Sequence, residues 1–566
     1  MKVTGAQALL KCLEEQKVET IFGFPGGAVI DLYDEIMKSD KLTHVLVRHE
    51  QAAVHAADAY GRVRGEVGVA LVTSGPGATN TVTGIASAYM DSIPLVVFSG
   101  QVPTGLIGND AFQEVDIVGI TRPCTKHNYL IKDVKDLVPT VREAFHIART
   151  GRPGPVLIDL PKDVMAAKIK FPDAKPVKMR TYKPTYEPHP GQIDKCCKTI
   201  LRAKKPVLYI GGGVIASNAY EEVTELARKL NIPVTMTLMG LGGFPGTDSL
   251  SMGMLGMHGT YYANMAVAKC DLLIGVGARF DDRVTGRIDA FAPHAKIIHI
   301  DIDPTSISKN VEVDIPIVAD CKHALSAMNT WFDRSDKFNA DEVKGIREPW
   351  LEKVKEWKAR HPLGYVRETD KIKPQFVVQK LHELTKGDAI ITTEVGQNQM
   401  WAAQFYHFNH PRAFMTSGGL GVMGYGFPAA IGAQMAARDR VVIDIAGDGS
   451  LQMNIQEMAT AKQYNCPVKI ALLNNNYLGM VRQWQELFYD KRYSATVLDV
   501  APDFVALAEA YGHVGLRATK PSEVEPVIKE ALATDSLVLM DFVIDREEGV
   551  YPMVPAGKAT TEMLLV

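Results

Sequence analysis

A chain of 566 residues is too long for one hydrophobic core and points to three or four domains. With 46% hydrophobic and 22% charged residues it has an ordinary globular composition, and a net charge of −3 argues against a basic surface for nucleic acid. The 7 cysteines are scattered without a CxxC, only Cys196 and Cys197 being adjacent, which argues against a disulfide framework or a zinc site; no apolar run is long enough to span a bilayer.

In chain order, the first segment is helix-like, Ala6 to Gln16. No signal or transit pattern precedes it, so a cytoplasmic protein is expected. Strand-like runs then alternate with helical patterns: Ile21–Phe24, His44–Val47, Val67–Thr73, Leu95–Ser99 and Val156–Leu160. In four of these five, a polar or glycine cluster marks the carboxyl end, among them Arg48-His49-Glu50 and Ser74-Gly75-Pro76-Gly77. Strands alternating with helices mean a parallel α/β domain, here residues 1–170. Prolines 172, 176, 184, 188 and 190 break any element in the linker that follows.

A second domain, 190–335, opens with a helix from Gln192 to Ala203, then the strand Val207–Ile210 and Gly211-Gly212-Gly213. Later strands are Val234–Met236, Leu272–Val276 and Ile297–Ile300. A charged connector with one helix, Pro349 to Ala359, leads to a third domain, 372–545, and a tail, 546–566. The expected fold class is α/β, with three doubly wound parallel-sheet domains.

The chemistry concentrates between Arg440 and Trp484. The strand Val441–Ala446 stops at Gly447-Asp448-Gly449-Ser450, a helix-like segment follows from Asn454 to Tyr464, and the strand Val468–Leu473 stops at Asn474-Asn475-Asn476. A strand–helix–strand unit makes a parallel pair with a right-handed crossover, so Asp448 and Asn475 fall at the carboxyl ends of two strands, where open α/β sheets bind ligands. A carboxylate and an amide oxygen there suit a hard cation such as Mg²⁺, and the glycines let a phosphate approach the backbone. A lone Gly-Asp-Gly is usually only a turn. Paired with an Asn-Asn after the next strand, it resembles the thiamine-diphosphate (ThDP) motif. That resemblance assigns Mg²⁺ to Asp448, Asn475 and the carbonyl of Tyr477.

Taken alone, Glu50 is a first-turn glutamate favoured by the helix dipole. Gly211–Gly213 is a strand-to-helix turn, lacking GxGxxG spacing and a ribose-binding acid at the usual distance. Lys162 is a solvated loop lysine, Asp282-Arg283 a surface ion pair, Val395 and Met423 core residues, and Trp484 a surface aromatic. Over nearly the whole chain, however, short stretches in order resemble one family: FGFPGG, RHEQAA, SGPGATN, DAFQEVD, GRPGPVLIDLPKDV, TLMGLG, LGMHG, GARFDDRVTG, HIDIDP, EVGQNQMW, TSGGLGVMG, AGDGSLQMNIQEMATA, GMVRQWQ and YPMVP. They are similar to the catalytic subunits of the acetohydroxyacid (acetolactate) synthases, ThDP-dependent enzymes of branched-chain amino acid biosynthesis. Phe24 departs from the FGYPGG common there, and the tail beyond Pro555 matches less well.

The resemblance implies that Glu50 serves the N1′ of ThDP. Pro76, Asn80, Val395, Gly396, Gln397, Met423, Gly447, Gly449 and Ser450 would then line that cofactor, with Met423 supporting its bent shape. It implies FAD in the middle domain, held by Arg152, Gly211, Gly212, Gly213, Thr237, Leu238, Met239, Met257, His258, Gly259, Arg279, Asp301 and Asp320. Phe112, Gln113 and Lys162 would line the pocket above the thiazolium. Arg283 would grip the carboxylate of the second 2-oxo acid, as a guanidinium can with two parallel hydrogen bonds. Trp484 would set specificity. The implied substrates are pyruvate and 2-oxobutanoate. The implied assembly is a homodimer or dimer of dimers, open to a small regulatory subunit. The nearest alternative is a pyruvate oxidase-like ThDP/FAD enzyme; an acetolactate synthase without FAD and a non-catalytic flavoprotein remain further off.

Overall fold

The computed structural model describes residues 2–367 and 370–565; Met1 and Val566, the outer ends of the first domain and the tail as read from sequence, lie outside the described residues. Three six-stranded sheets organise the chain, and every strand pair in them is parallel. The first sheet runs, edge to edge, Thr43–Leu46, Thr20–Phe24, Gly68–Val72, Leu95–Gln101, Pro155–Pro161, His127–Leu130. The second runs Ser251–Met254, Val234–Met236, Pro206–Ile210, Leu272–Val276, Lys296–Asp301, Ile315–Val318. The third runs Phe414–Met415, Ile390–Thr393, Val442–Gly447, Lys469–Asn474, Val538–Val543, Val514–Ala518. The central strands read as nearly unbroken apolar runs because both faces are buried under helices.

The first and third sheets share one strand order, second-first-third-fourth-sixth-fifth in sequence, although no repeat is visible in the residues. The second sheet has the order 3-2-1-4-5-6, which is that of dinucleotide-binding folds. A short antiparallel pair, Lys2–Thr4 with Lys168–Lys170, ties the two ends of the first unit together. Among the described residues no helix is long and apolar enough to cross a membrane.

The structure departs from the sequence reading in three places. The edge strands His127–Leu130, Ser251–Met254, Ile315–Val318, Phe414–Met415 and Val514–Ala518 were not expected, most being short or interrupted by polar residues, as edges tend to be, and neither was the interior strand Val538–Val543. The connector helix runs from Ala340 to Arg360, straight through Pro349, because Asn339 caps its start by accepting from the Asp341 and Glu342 amides and Trp350, Val354 and Trp357 bury its inner face. The segment after Asp448 is not one helix. It is a turn of α-helix, a 3₁₀ stretch and the helix Met458–Gln463, broken at Asn454, whose amide donates to the Gly424 carbonyl at 2.6 Å.

The first and third units lock together through two helices, Glu50–Arg64 and Gly426–Ala436. Their backbones touch: a Cβ on Gly432 would run into the Ala56 carbonyl. Around the crossing, Tyr425 donates to Asp58 at 2.7 Å, Arg62 pairs with Asp58 at 2.7 Å and Asp91 at 3.3 Å, and Arg62 also donates to the Thr416 carbonyl at 3.0 Å. Each charge in this buried group has a partner, which keeps its desolvation from being ruinous.

Candidate active site

The strands Val442–Gly447 and Lys469–Asn474 are direct neighbours, with Gly447 opposite Leu473, so Asp448 and Asn475 leave the sheet side by side. Asp448 is buried at 1% exposure. Its Oδ1 accepts weakly from the Asn475 amide at 3.4 Å, while its Oδ2 is buried with no partner. Burial raises its pKa to about 6, offset in part by backbone N–H groups and by Arg546. An unpartnered buried carboxylate oxygen beside a buried amide is a donor set that a hard, oxygen-seeking cation completes. Asn475 Oδ1 accepts from the Tyr477 amide at 3.0 Å. Between them Asn476 takes φ +54°, a left-handed turn that Asn tolerates. Arg546 lies 4.3 Å above the Tyr477 ring and fixes that residue from outside.

One cavity of about 1180 Å³ opens where the three units meet, with Thr20, Tyr60, Met90 and Arg149 of the first unit in its lining. On the third-sheet side it is lined by Val395, Gly396, Met423, Met480 and Trp484. Met423 sits on a loop held by Glu394, whose carboxylate accepts from the Gly424 and Phe427 amides at 2.6 and 3.0 Å. Trp484 lies on the helix Gly479–Phe488 with its ring edge-on to Phe488 at 5.9 Å and its indole N–H unpartnered.

On the other side the cavity is lined by residues at carboxyl ends of the second sheet: Gly211–Gly213, Thr237-Leu238, Arg279, Asp301 and Asp320, with Arg152, Met257 and His258 beside them. Gly211 follows the first strand of the 3-2-1-4-5-6 order, at the point where the sheet's winding reverses. A Cβ on Gly213 would lie 2.6 Å from Gly277 Cα, whereas at Gly212 it would meet only Met239 at 3.4 Å, so the turn packs tightly on one side and opens on the other. Arg152 donates to Ser92 Oγ at 2.8 Å and pairs with Asp303 at 3.3 Å. Asp301 is buried, its carboxyl pushed up to about 6 by that burial. Asp320 spends one oxygen capping the helix Cys321–Arg334. His258 Nδ1 lies 3.3 Å from the Pro552 carbonyl, and burial lowers its pKa to about 4. A long, mostly apolar groove with polar ends at a switch point fits a dinucleotide.

The candidates from the first unit, Glu50, Pro76, Asn80, Phe112, Gln113 and Lys162, gather at the carboxyl edge of its sheet and do not line that cavity. Glu50 opens its helix, and its Oε2 accepts from Asn80 Nδ2 at 2.9 Å; Pro76 starts the short helix that ends beside Asn80. Gln113, at φ +60°, packs its backbone against Gly75, where no Cβ fits. Phe112 is 89% exposed, and Lys162 is exposed at the end of Pro155–Pro161. Arg283, on the short helix Asp282–Thr285 of the second unit, is exposed but does line the cavity, its Nε 3.8 Å from Asp282. Gly259, Gln397, Gly447, Gly449 and Ser450 also lie outside the cavity lining. Within one chain, therefore, Glu50 and Asp448 belong to separate edges.

Several buried acids were given no role by the sequence reading, among them Glu394, Asp444 and Glu457. Burial raises Glu394 and Glu457 to about 7, and Glu457 holds the Arg48 amide at 2.9 Å, just before Glu50. Nothing in their local sequence marks them; only the packing of separate segments does.

Family models match along the chain: "Thiamine pyrophosphate enzyme, N-terminal TPP binding domain" over residues 3–120, the central domain over 193–328 and the C-terminal TPP binding domain over 394–542. The chain is 50% identical to the acetolactate synthase isozyme 3 large subunit of Escherichia coli K12, covering all of this chain and 98% of that one. It is 49% identical to the acetolactate synthase large subunit of Haemophilus influenzae, with 100% and 98% covered. To that of Corynebacterium glutamicum it is 50% identical, with 99% and 90% covered.

Proposed function

Because the chain belongs to the thiamine pyrophosphate enzymes, and among them to the acetolactate synthase large subunits, we propose that it is the catalytic subunit of an acetolactate synthase. It decarboxylates pyruvate and joins the remaining two-carbon unit to a second pyruvate or to 2-oxobutanoate. The products are CO₂ and 2-acetolactate or 2-aceto-2-hydroxybutanoate, on the way to valine, leucine and isoleucine. The observation that carries this reading is the cavity in which a dinucleotide-type glycine turn faces Val395, Met423 and Trp484.

When bound, ThDP supplies the electron sink that lets the 2-oxo acid lose its carboxylate. The chain's own residues then have separate tasks. Asp448, Asn475 and the Tyr477 carbonyl hold Mg²⁺, and Gly447, Gly449, Ser450, Gly396 and Gln397 form the polar edge that receives the diphosphate. Glu50, steadied by Asn80, holds the proton exchanged at N1′ of the aminopyrimidine. Gln113, Phe112 and Lys162 enclose the reacting carbon from the first sheet, and Arg283 grips the second substrate's carboxylate. Since Glu50 and Asp448 lie on separate edges of one chain, a homodimer that sets Glu50 of one chain against Asp448 of the other supplies both ends. The groove at Gly211–Gly213, Arg152, Asp301 and Asp320 takes FAD, which keeps the site's shape and gains no net electrons. A small regulatory subunit is a further partner, as the relatives' designation "large subunit" suggests.

The test is product formation from competing pyruvate and 2-oxobutanoate, with and without added ThDP, Mg²⁺ and FAD. Both acetohydroxy acids are expected, with dependence on all three additions. Flavin bleaching at the turnover rate would instead assign a pyruvate oxidase-like reaction.

A further inference from the structure

We propose that Gln483 is a positioning residue for the cation site, acting through Gln397 on the side-chain amide of Asn475. The inference rests on the cation reading above.

Three buried amides form a chain. Asn475 Nδ2 donates to Gln397 Oε1 at 3.3 Å. Gln397 Nε2 donates to Gln483 Oε1 at 2.9 Å and to the Glu548 carbonyl at 3.1 Å. Gln483 Oε1 also accepts from the Val550 amide at 2.8 Å, and its Nε2 donates to the Val550 carbonyl at 3.0 Å.

A backbone N–H only donates and a backbone carbonyl only accepts, so Val550 dictates which end of Gln483 is oxygen. That oxygen demands the NH₂ of Gln397, which turns the Gln397 oxygen toward Asn475. The Gln397 oxygen in turn demands the NH₂ of Asn475, which leaves Asn475 Oδ1, the end that can bind a cation, facing away from Gln397. Reversing any one amide sets donor against donor or acceptor against acceptor. With Gln397, Gln483 and Asn475 only 3%, 1% and 6% exposed, water cannot repair the mismatch.

The reference backbone is itself fixed. Arg482 donates to the Glu547 carbonyl at 3.0 Å, and the Glu548 carboxylate takes Lys373 at 2.5 Å and Gln375 at 2.9 Å. Gly479 keeps the junction clear: a Cβ there would lie 2.8 Å from Asn475 Nδ2. Neither Gln483 nor Val550 reaches the cation, yet from the Nδ2 side they enforce the same orientation of Asn475 that the Tyr477 amide enforces at Oδ1.

The experiment uses the full chain with FAD bound. ThDP binding is followed by tryptophan fluorescence at graded Mg²⁺, and free Mn²⁺ by electron paramagnetic resonance, for Gln483→Met, Gln397→Met, Gln483→Glu and Asn475→Ala. Methionine keeps the length of glutamine and removes both polar ends. Both methionine variants are expected to raise the metal midpoint about tenfold, the usual scale for groups that orient a metal ligand. Saturating Mg²⁺ should restore ThDP affinity in Gln483→Met, whose side chain has no part in the diphosphate edge, and the metal midpoint is the readout for Gln397→Met. Gln483→Glu keeps an acceptor for Gln397 and for the Val550 amide, so it should stay closer to the parent than either methionine variant. A purely structural role would lower thermal stability without moving the metal midpoint. Should Gln483→Met fail to fold, Gln397→Met carries the test. Parent-like midpoints in the folded methionine variants, with a shifted Asn475→Ala, overturn the proposal. An unshifted Asn475→Ala overturns the cation reading and the proposal with it.

Discussion

Replacing Trp484 by Leu should lower the preference for 2-oxobutanoate over pyruvate as second substrate. The indole lines the cavity beside Val395, Met423 and Met480, and its ring edge rests on Phe488 at 5.9 Å. Leucine is a good helix former, so the helix Gly479–Phe488 should persist and the change stay local. The two substrates differ by one methylene, whose burial is worth about 0.8 kcal/mol by area alone, or roughly fourfold. A shaped pocket raises one-methylene discrimination to ~1–3 kcal/mol, roughly 10–200-fold. A leucine that stops short of the methylene forfeits the shaped part, so the preference should drop by about tenfold or more. Acetolactate formation from pyruvate alone should be largely kept, because the shorter substrate never made that contact. The assay is the ratio of the two products from mixed substrates, normalised to the substrate ratio. An unchanged ratio would make Trp484 a packing residue and put the selective wall elsewhere.

Glu50→Gln should bind ThDP normally, since its amide oxygen can still accept from Asn80, yet lose about 10²–10⁴ in turnover, the scale of a lost acid–base group; near-parental acetolactate formation would refute the assignment. Asp448→Ala should weaken ThDP in a Mg²⁺-dependent way, and equal ThDP affinity at every Mg²⁺ concentration would count against the cation site. FAD should be required but not consumed, so a redox-inactive analogue that binds should sustain activity; loss of activity with all such analogues would contradict a structural flavin. Burial raises Glu457 to about 7, so the folded chain binds its proton more tightly than the unfolded one does. Stability from this group is therefore present at low pH and is lost as pH rises toward 7, by up to about 3 kcal/mol. Glu457→Gln, whose one oxygen in the Oε2 position can still accept from Thr460 and, at the longer 3.2 Å, from the Arg48 amide, should gain stability over the parent as pH goes from 5 to 8, and parallel Tm profiles would dismiss the idea.

Elements whose residues announce their own environment were legible in the sequence. Buried strands such as Val442–Gly447 and Lys469–Asn474 are continuous apolar runs closed by Gly-Asp-Gly and Asn-Asn; those boundaries put Asp448 and Asn475 at two strand ends, and the sheet makes the strands neighbours. Edge strands carry no such signature, and His127–Leu130 is half polar. Pro349 reads as a breaker, but a proline's missing N–H is a modest loss when Trp350, Val354 and Trp357 bury the same helix. Least legible were partnerships across long separations. Glu457 meeting Arg48, Arg62 meeting Thr416 and Gln483 meeting Val550 depend on which faces pack, and that is a property of the whole chain.

The tail also bears on how the protein is made. After Asp545 it passes Gln483, lays Pro552 beside His258, and sets the Val554 amide on the Met257 carbonyl at 2.8 Å. The strand before it, Val538–Val543, slots between two strands that leave the ribosome earlier, Lys469–Asn474 and Val514–Ala518. Synthesis runs from the N-terminus and domains fold as units, so the first two sheets can close while the third still has a gap. The groove at Gly211–Gly213 thus exists before the wall that faces it, so the flavin proposed for it would meet an open trough rather than a finished cavity. Termination between residues 476 and 537 would leave the first two sheets complete, the third without Val538–Val543, and Asn475 without the anchor that runs through Gln483 to Val550.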